Sequence, residues 1–242
     1  MPELEILIPV YNEGLNILNV LEALKEKVKT PFCVLIAYDR DEDDTLPVIQ
    51  NNLAHLPQVR LVKNKTRGVH GAIVSAFQAG DAPAVIVFPA DDTYNAGMID
   101  GMVREFKNGA EIVSASRFMR GGCMKGCPWL KAFLVRMSAF TLYHLAQLPT
   151  HDPTNGFRLF SRRVIREVPI ESTEGFAFSI ELLVKCHRLG WKITELPALW
   201  FERSQGRSRF RILRWMPIYL RWYFYAFATA LFGRAKAHAD GR

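Results

Sequence analysis

The strongest constraint on the fold is an alternation that recurs four times before residue 110: a short apolar run, a turn rich in Asp, Asn or Gly, and a segment with helical spacing. Glu3 to Val10 reads as a first strand, closed by Tyr11-Asn-Glu-Gly14, after which Leu15, Leu18, Leu21, Leu24 and Val28 recur at helical intervals. Phe32 to Ala37 is a second strand and runs straight into an acidic turn from Asp39 to Thr45. Val59 to Val62 leads to Arg67-Gly-Val-His-Gly71 and a helix over 72–79. Val85 to Phe88 has the unbroken apolar character of a strand covered on both faces, and Pro89-Ala-Asp-Asp-Thr93 follows where it should stop. Such alternation dictates βαβ units, hence an α/β domain with a mixed, mostly parallel sheet flanked by helices.

The second half adds a strand at Glu111 to Ser116, a Gly-rich loop over 119–128 and an apolar helix over 129–148 broken by Pro149. A turn-rich segment from Asp152 to Arg158 precedes helices over 162–168 and 176–189, with a short strand at Lys192 to Leu196. We divide the chain into a domain over 1–211 and a basic, aromatic tail over 212–242. A bilayer span needs about 20 consecutive apolar residues, and Arg214, Pro217 and Arg221 interrupt the stretch 212–233. Arg211, Arg214 and Arg221 fall on one helical face, which predicts an interfacial amphipathic helix at the C-terminal end. The other reading of this stretch is a helix packed on the core or on a second subunit.

The formal charge of +7 is concentrated late: nine basic residues from Arg203 onward face one acid, Asp240. Interleaved with Trp215, Tyr219, Trp222, Tyr223, Phe224, Tyr225 and Phe227, they suit an anionic membrane surface better than a nucleic acid. The first seven residues carry two glutamates and no leading positive region, so no signal peptide is expected. Four scattered cysteines then read as free thiols of a cytoplasmic protein, and Cys123 and Cys127 have no second ligand pair for zinc.

Three acidic turns close three predicted parallel strands: Glu13, then Asp39 with Asp41, Asp43 and Asp44, then Asp91 with Asp92. In an open α/β sheet, ligands bind outside the carboxyl ends of the strands. Carboxylates there suit a sugar nucleotide, one taking the base or ribose and another a divalent cation that carries the diphosphate. Residues 41–44 read as a largely solvated turn, so Asp39, directly after the strand, is the candidate. A plain structural reading of Asp91-Asp-Thr93 is a turn or a cap for the helix near Ala96.

These residues carry a resemblance. Pro9-Val-Tyr-Asn-Glu13, Asp39 with its acidic turn, Arg67-Gly-Val-His-Gly71, Ala90-Asp91 and Ser116-Arg-Phe118 occur in the order and spacing of family 2 glycosyltransferases. Asp152-Pro-Thr-Asn-Gly-Phe-Arg158, Glu181 and Arg203-Ser-Gln-Gly-Arg-Ser-Arg209 continue the series, so the resemblance covers residues 4 to about 211. Within that family the chain resembles the polyprenyl-phosphate sugar transferases of the dolichol-phosphate mannose synthase type. The resemblance implies a GT-A (Rossmann-like) fold with the nucleotide held at Pro9, Tyr11, Asn12, Glu13, Asp39 and Gly68. It implies Mg²⁺ or Mn²⁺ at Asp91 and Thr93, with Asp92 beside them, because Pro89 stands where the family has its first metal-binding Asp. Arg117 matches an arginine near the phosphates, and Ser138 a serine at the acceptor phosphate. The arginine usually four residues before that serine is Leu134 here, which makes Lys131 or Arg136 the substitute. Arg203 and Arg209 match the late basic motif that closes over the donor diphosphate.

The function implied is inverting transfer of a sugar from a nucleoside-diphosphate sugar, GDP-mannose being the typical donor, to a polyprenyl phosphate on the cytosolic face of a membrane. The acceptor phosphate is already an anionic nucleophile, so catalysis is positioning and charge stabilisation by Asp91, Arg117, Arg203 and Arg209. The alternative is a related enzyme acting on a saccharide or other small acceptor, which would need Asp152 or Glu181 as a base. A remote one is a basic nucleic-acid-binding module, which leaves the acidic turns unexplained. Oligomeric state is not specified by these features.

Overall fold

A computed structural model describes residues 2–202 and 217–228. The chain runs β1 (Leu4–Pro9), α1 (Ile17–Lys27), β2 (Phe32–Tyr38), α2 (Thr45–Asn52), β3 (Val59–Lys63), α3 (Val69–Ala79), β4 (Ala84–Val87), α4 (Ile99–Lys107) and β5 (Ile112–Ser116). It continues through β6 (Cys123–Lys125), α5 (Trp129–His144), β7 (Arg158–Ser161), α6 (Arg162–Glu167), α7 (Ala177–Arg188), β8 (Ile193–Pro197) and β9 (Leu199–Phe201). Residues 217–228 form a further helix, α8.

The main sheet has the order β3-β2-β1-β4-β7-β5-β8. All pairings are parallel except those of β7, which runs antiparallel to both β4 and β5. From β1 the chain proceeds to β2 and β3 on one side and returns to place β4 on the other. This is the strand-order reversal at which α/β sheets open a binding crevice. Because β7 is reversed, its first residue, Arg158, lies at the same edge as the last residues of β1, β2, β4, β5 and β8. One edge therefore collects every motif singled out above that falls within the described residues.

Alternation along the strands sends side chains to two cores. Leu4, Ile6 and Ile8 face α1 and α4, whereas Leu7, Leu35, Val85 and Val87 join α3, α7 and α8 on the other face. Only part of the expected stretch 212–233 is described, and that part packs on the core. Trp222 is 1% exposed and Ala226 is buried with it, while Leu220 and Phe224 face outward. Tyr223 hydrogen-bonds the Thr141 hydroxyl of α5 at 2.8 Å, and Arg221 pairs with Glu171 at 2.8 Å.

One expectation is corrected, and one element comes without a sequence signal. The helix predicted over 129–148 ends at His144, because Gln147 turns left-handed (φ 57°) and folds Ala146 and Leu148 back into the core. The parallel two-stranded ribbon of β6 and β9 has no signature in the sequence, each strand being three residues long.

Candidate active site at the sheet edge

On the donor side, the loop after β1 is held by the loop after β2. Three successive amides of the first loop donate to it: Asn12 N–H to Asp43 (3.0 and 3.1 Å), Glu13 N–H to Thr45 Oγ1 (3.0 Å) and Gly14 N–H to Asp44 (2.9 Å). Asn12 is left-handed there, with φ 53°. The expectation that 41–44 is a solvated turn is thus wrong for Asp43, which is 3% exposed and also accepts from the Thr45 amide and hydroxyl. A burial of this kind is tolerated because every lone pair facing inward has a donor. Gly14 is required by the same contact, since a Cβ there would lie 2.9 Å from the Asp44 carbonyl oxygen. The Glu13 side chain is buried and accepts from Asn16 Nδ2 at 2.9 Å. Tyr11, Asn12, Arg40, Glu42 and Asp43 line a cleft of about 260 Å³ beside Pro9.

Asp39, at the end of β2, accepts from Asn64 Nδ2 (2.6 Å) and from the amide of Gly68 (2.8 Å), whose φ of 96° suits glycine. The two predicted nucleotide residues Asp39 and Gly68 are therefore in direct contact. Two residues further on, His70 opens α3 and faces Ser172 Oγ at 3.3 Å and the edge of Phe178. Burial holds its pKa below the ordinary imidazole value, with the Glu181 charge opposing.

After β4, Asp92 accepts from the amides of Tyr94 and Asn95 at 2.9 Å each and from Asn95 Nδ2 at 2.6 Å. Both its oxygens hold the turn, so the reading of Asp92 as a turn residue is the one its geometry matches. Burial raises its pKa, against the Asn95 and Tyr94 bonds. Asp91 and Thr93 are half-buried at the same turn. No group of three His, Cys, Asp or Glu side chains arranged for a metal occurs among the described residues. A lone carboxylate still suits Mg²⁺ or Mn²⁺, which take one or two carboxylates and draw their other ligands from substrate phosphates and water.

The other side of the crevice is built on Arg117, directly after β5. Its Nε and Nη2 donate to the two oxygens of Asp152 at 2.6 and 2.9 Å, and Nη2 also reaches Thr154 Oγ1 at 3.2 Å. Burial disfavours the Arg117 charge, but the Asp152 carboxylate outweighs it and holds the pKa above the usual value. Its third nitrogen, Nη1, has a soft partner, Met124 Sδ at 3.9 Å. Sequence reasoning did not pair Arg117 with Asp152, which lies 35 residues away. Arg117 also lies 5.1 Å from the Phe118 ring centroid, and Arg136 of α5 lies 5.7 Å from the same ring. Of the two proposed substitutes for the missing arginine, Arg136 thus shares the Phe118 ring with Arg117, whereas Lys131 sits over Trp200 at 5.5 Å. The Ser138 hydroxyl donates within its own helix to the Val135 carbonyl at 2.9 Å.

Both candidate bases are engaged. Asp152 is fully buried against Arg117; Glu181, also fully buried, accepts from the amides of Glu171 (2.6 Å) and Ser172 (2.8 Å) and from Lys185 (2.7 Å). Arg203 and Arg209 lie outside the described residues. The outer face of α5 is apolar and uncovered: Trp129 (79% exposed), Leu130, Phe133 (56%), Leu134, Met137 and Phe140 (57%).

A switch-point crevice flanked by carboxylates on one side and a guanidinium on the other, on this mixed sheet, defines a glycosyltransferase of the GT-A fold. The model of glycosyl transferase family 2 matches residues 5–169, and the chain belongs to that family. It is 24% identical over 214 residues to the dolichol-phosphate mannosyltransferase of Pyrococcus furiosus, a match covering 86% of this chain but only 59% of that protein. The dolichyl-phosphate hexose transferase of Haloferax volcanii is 27% identical over 207 residues, with 84% of each chain covered. Among solved structures, glucosyl-3-phosphoglycerate synthase from Mycobacterium tuberculosis in complex with UDP shares the fold at a TM-score of 0.70 and 16% identity, covering 94% of this chain and 80% of that one. The same enzyme has been solved with Mn²⁺ and UDP.

Proposed function

We propose that this glycosyltransferase moves a hexose, mannose in the first instance, from a nucleoside-diphosphate sugar such as GDP-mannose to a polyprenyl phosphate, with inversion, on the cytosolic face of a membrane. The observation that carries this reading is the uncovered apolar face of α5 beside a guanidinium pair, Arg117 and Arg136, that shares the Phe118 ring. A lipid phosphate needs both: an apolar surface for the chain and cations for its head. The Pyrococcus and Haloferax relatives, a dolichol-phosphate mannosyltransferase and a dolichyl-phosphate hexose transferase, point the same way.

In this reading Tyr11, Asn12, Glu13, Asp39 and Gly68 receive the nucleotide. Asp91 with Thr93 holds Mg²⁺ or Mn²⁺, which when bound neutralises the diphosphate as it leaves. Arg117 offers Nη1 to the acceptor phosphate, with Arg136, Lys131 and Ser138 on the neighbouring helix. The phosphate oxygen attacks in line without surrendering a proton, which agrees with two buried carboxylates already engaged by other groups. A hydroxyl acceptor would need one of them released. Arg203 and Arg209 would close over the donor diphosphate, and residues 212–242 would form the membrane-peripheral tail. No described helix is long and apolar enough to cross a membrane.

The test is transfer from labelled GDP- and UDP-sugars to a short polyprenyl phosphate, with and without Mg²⁺ or Mn²⁺, read after lipid extraction. A metal-dependent lipid product is expected. Nucleotide binding without lipid product, together with transfer to a small saccharide, would replace this reading with the alternative.

A further inference from the structure

Behind Arg117 lies a second guanidinium that no substrate can touch. Arg158, the first residue of β7, is fully buried, and its Nη1 and Nη2 donate to the carbonyls of Ser179 (2.6 Å) and Asp152 (2.9 Å). It stands across from Ser114 in the strand register, and Ser114 in turn pairs with Glu195. Only one carboxylate, Asp152, is shared between Arg117 and Arg158. Arg117 takes its two oxygens, while Arg158 takes its backbone carbonyl.

Arg117 with Asp152 is a neutral pair, and a neutral pair gives a phosphate dianion no net attraction. Arg158 adds one positive charge directly behind it. The other groups that face Arg158 are Glu195 and the Tyr219 phenol of α8. Glu195 keeps its negative charge, turned toward the Thr150 hydroxyl (3.0 Å), the His151 amide (2.7 Å) and the His151 ring, and acts on Arg158 more weakly than Asp152 does, while burial keeps Tyr219 protonated. A buried guanidinium is a costly way to fill space, since apolar residues of similar volume often serve stability as well. Burial brings the Arg158 pKa down to about 10, against the Asp152 charge, and the group stays cationic at neutral pH.

We propose that Arg158 is a positioning residue that makes the Arg117–Asp152 pair electropositive, and so sets the affinity for the dianionic phosphate of the acceptor. The inference rests on the acceptor reading above and extends it to a residue out of reach of any ligand.

Two variants test it, each assayed for transfer to a short polyprenyl phosphate beside the wild-type enzyme, with donor affinity and thermal unfolding measured in parallel. Arg158→Gln removes the charge and leaves a shorter polar amide in its place; the acceptor KM should rise roughly tenfold or more while donor affinity moves less than about twofold. Arg158→Lys keeps the charge, but on a group whose pKa falls far when buried. Its acceptor KM should therefore be near wild type at about pH 7 and climb toward pH 8.5, a range over which the phosphate is already dianionic and which lies far enough below the Arg158 pKa of about 10 for the wild type to stay flat. An unchanged acceptor KM in folded Arg158→Gln, or equal losses for donor and acceptor, would overturn the proposal. If that variant does not fold, a flat pH profile in Arg158→Lys overturns it instead, and loss of the fold in both makes Arg158 a structural brace. A wild-type enzyme that makes no lipid product takes down the acceptor reading itself, which distinguishes the two failures.

Discussion

The two halves of the sheet edge are finished to different degrees. On the donor side, the loops after β1, β2 and β3 are tied to one another by Asp43, Thr45, Asp44 and Asp39, each accepting from backbone amides of a neighbouring loop. On the acceptor side, α5 buries only Ala139 and Leu142 and leaves a row of large apolar side chains uncovered. A nucleotide is a rigid polar ligand, and a site set in advance binds it without an ordering cost. A polyprenyl chain is long and apolar, and under the proposed function a surface that remains open would receive it at the membrane boundary. The contrast would then separate what the protein holds ready from what a lipid completes.

The largest effect should come from the hinge between the halves. Asp91→Asn removes the one carboxylate that we assign to the cation, and kcat should fall by roughly a hundredfold to a thousandfold. Thermal stability should shift by less than about 0.5 kcal/mol, because the residue is half-buried at a turn held by Asp92. Full metal-dependent turnover in this variant would remove Asp91 from the mechanism and leave the donor half without its cation.

Next comes the lacing itself. Asp43→Ala leaves the amides of Asn12 and Thr45 without acceptors, and should cost about 2–3 kcal/mol in denaturant unfolding while raising the donor KM. Asp41 makes a good control: its ion pair with Lys63 is between exposed side chains, 54% and 66% accessible, and Asp41→Ala should cost less than about 1 kcal/mol. Equal effects from the two would mean that the donor loops are not pre-set by buried carboxylates, and the contrast between the halves would dissolve.

That pair also shows where the sequence was legible. Parallel strands followed by helices were readable because an apolar run covered on both faces has no other soluble use, and β1, β2, β3 and β4 fall where the runs do. Asp43 was not readable, because nothing in Asp41-Glu-Asp-Asp44 distinguishes the carboxylate that turns inward from its solvated neighbours. Burial there is decided by amides of another loop 31 residues away. The same holds for the Arg117–Asp152 pair and for Arg158, whose strand begins with a charge and so carries no apolar signature. In 217–228 the stretch shows both characters the sequence allowed: Trp222 packs between Lys185, Arg221 and the core, while Leu220 and Phe224 stay exposed.

On the acceptor half, the sharper test is to make α5 polar without touching the core. Phe133→Asp with Met137→Asp places charge on the open face, both side chains being exposed already. Binding to anionic vesicles should fall roughly tenfold or more, and the KM for a long polyprenyl phosphate should rise with it. Turnover of a short, water-soluble prenyl phosphate should persist, and the unfolding midpoint should hold. Loss of stability instead would show that α5 is covered in solution by something other than lipid, a second copy of the chain being the first candidate.

The smallest effect concerns pH and is tested on the donor half. Burial lowers the pKa of His70, against the opposing Glu181 charge, and burial lowers that of His187 as well. A base whose folded pKa lies below its unfolded value is neutral in both states above about pH 6.5 and adds no pH dependence there. Below that, the unfolded chain takes up protons that the folded one refuses, so stability should decline gently as the pH drops from about 6.5 toward the depressed folded values. His70→Gln should flatten part of that decline, since Gln removes the titrating ring beside Ser172 and retains a hydrogen-bonding group. The activity of the variant at neutral pH should stay within about twofold, because His70 touches the donor loop through its helix and not through its ring. A steeper decline in His70→Gln than in the wild type would mean that the imidazole is protonated in the folded state, and that the α3 end of the donor loop depends on its charge.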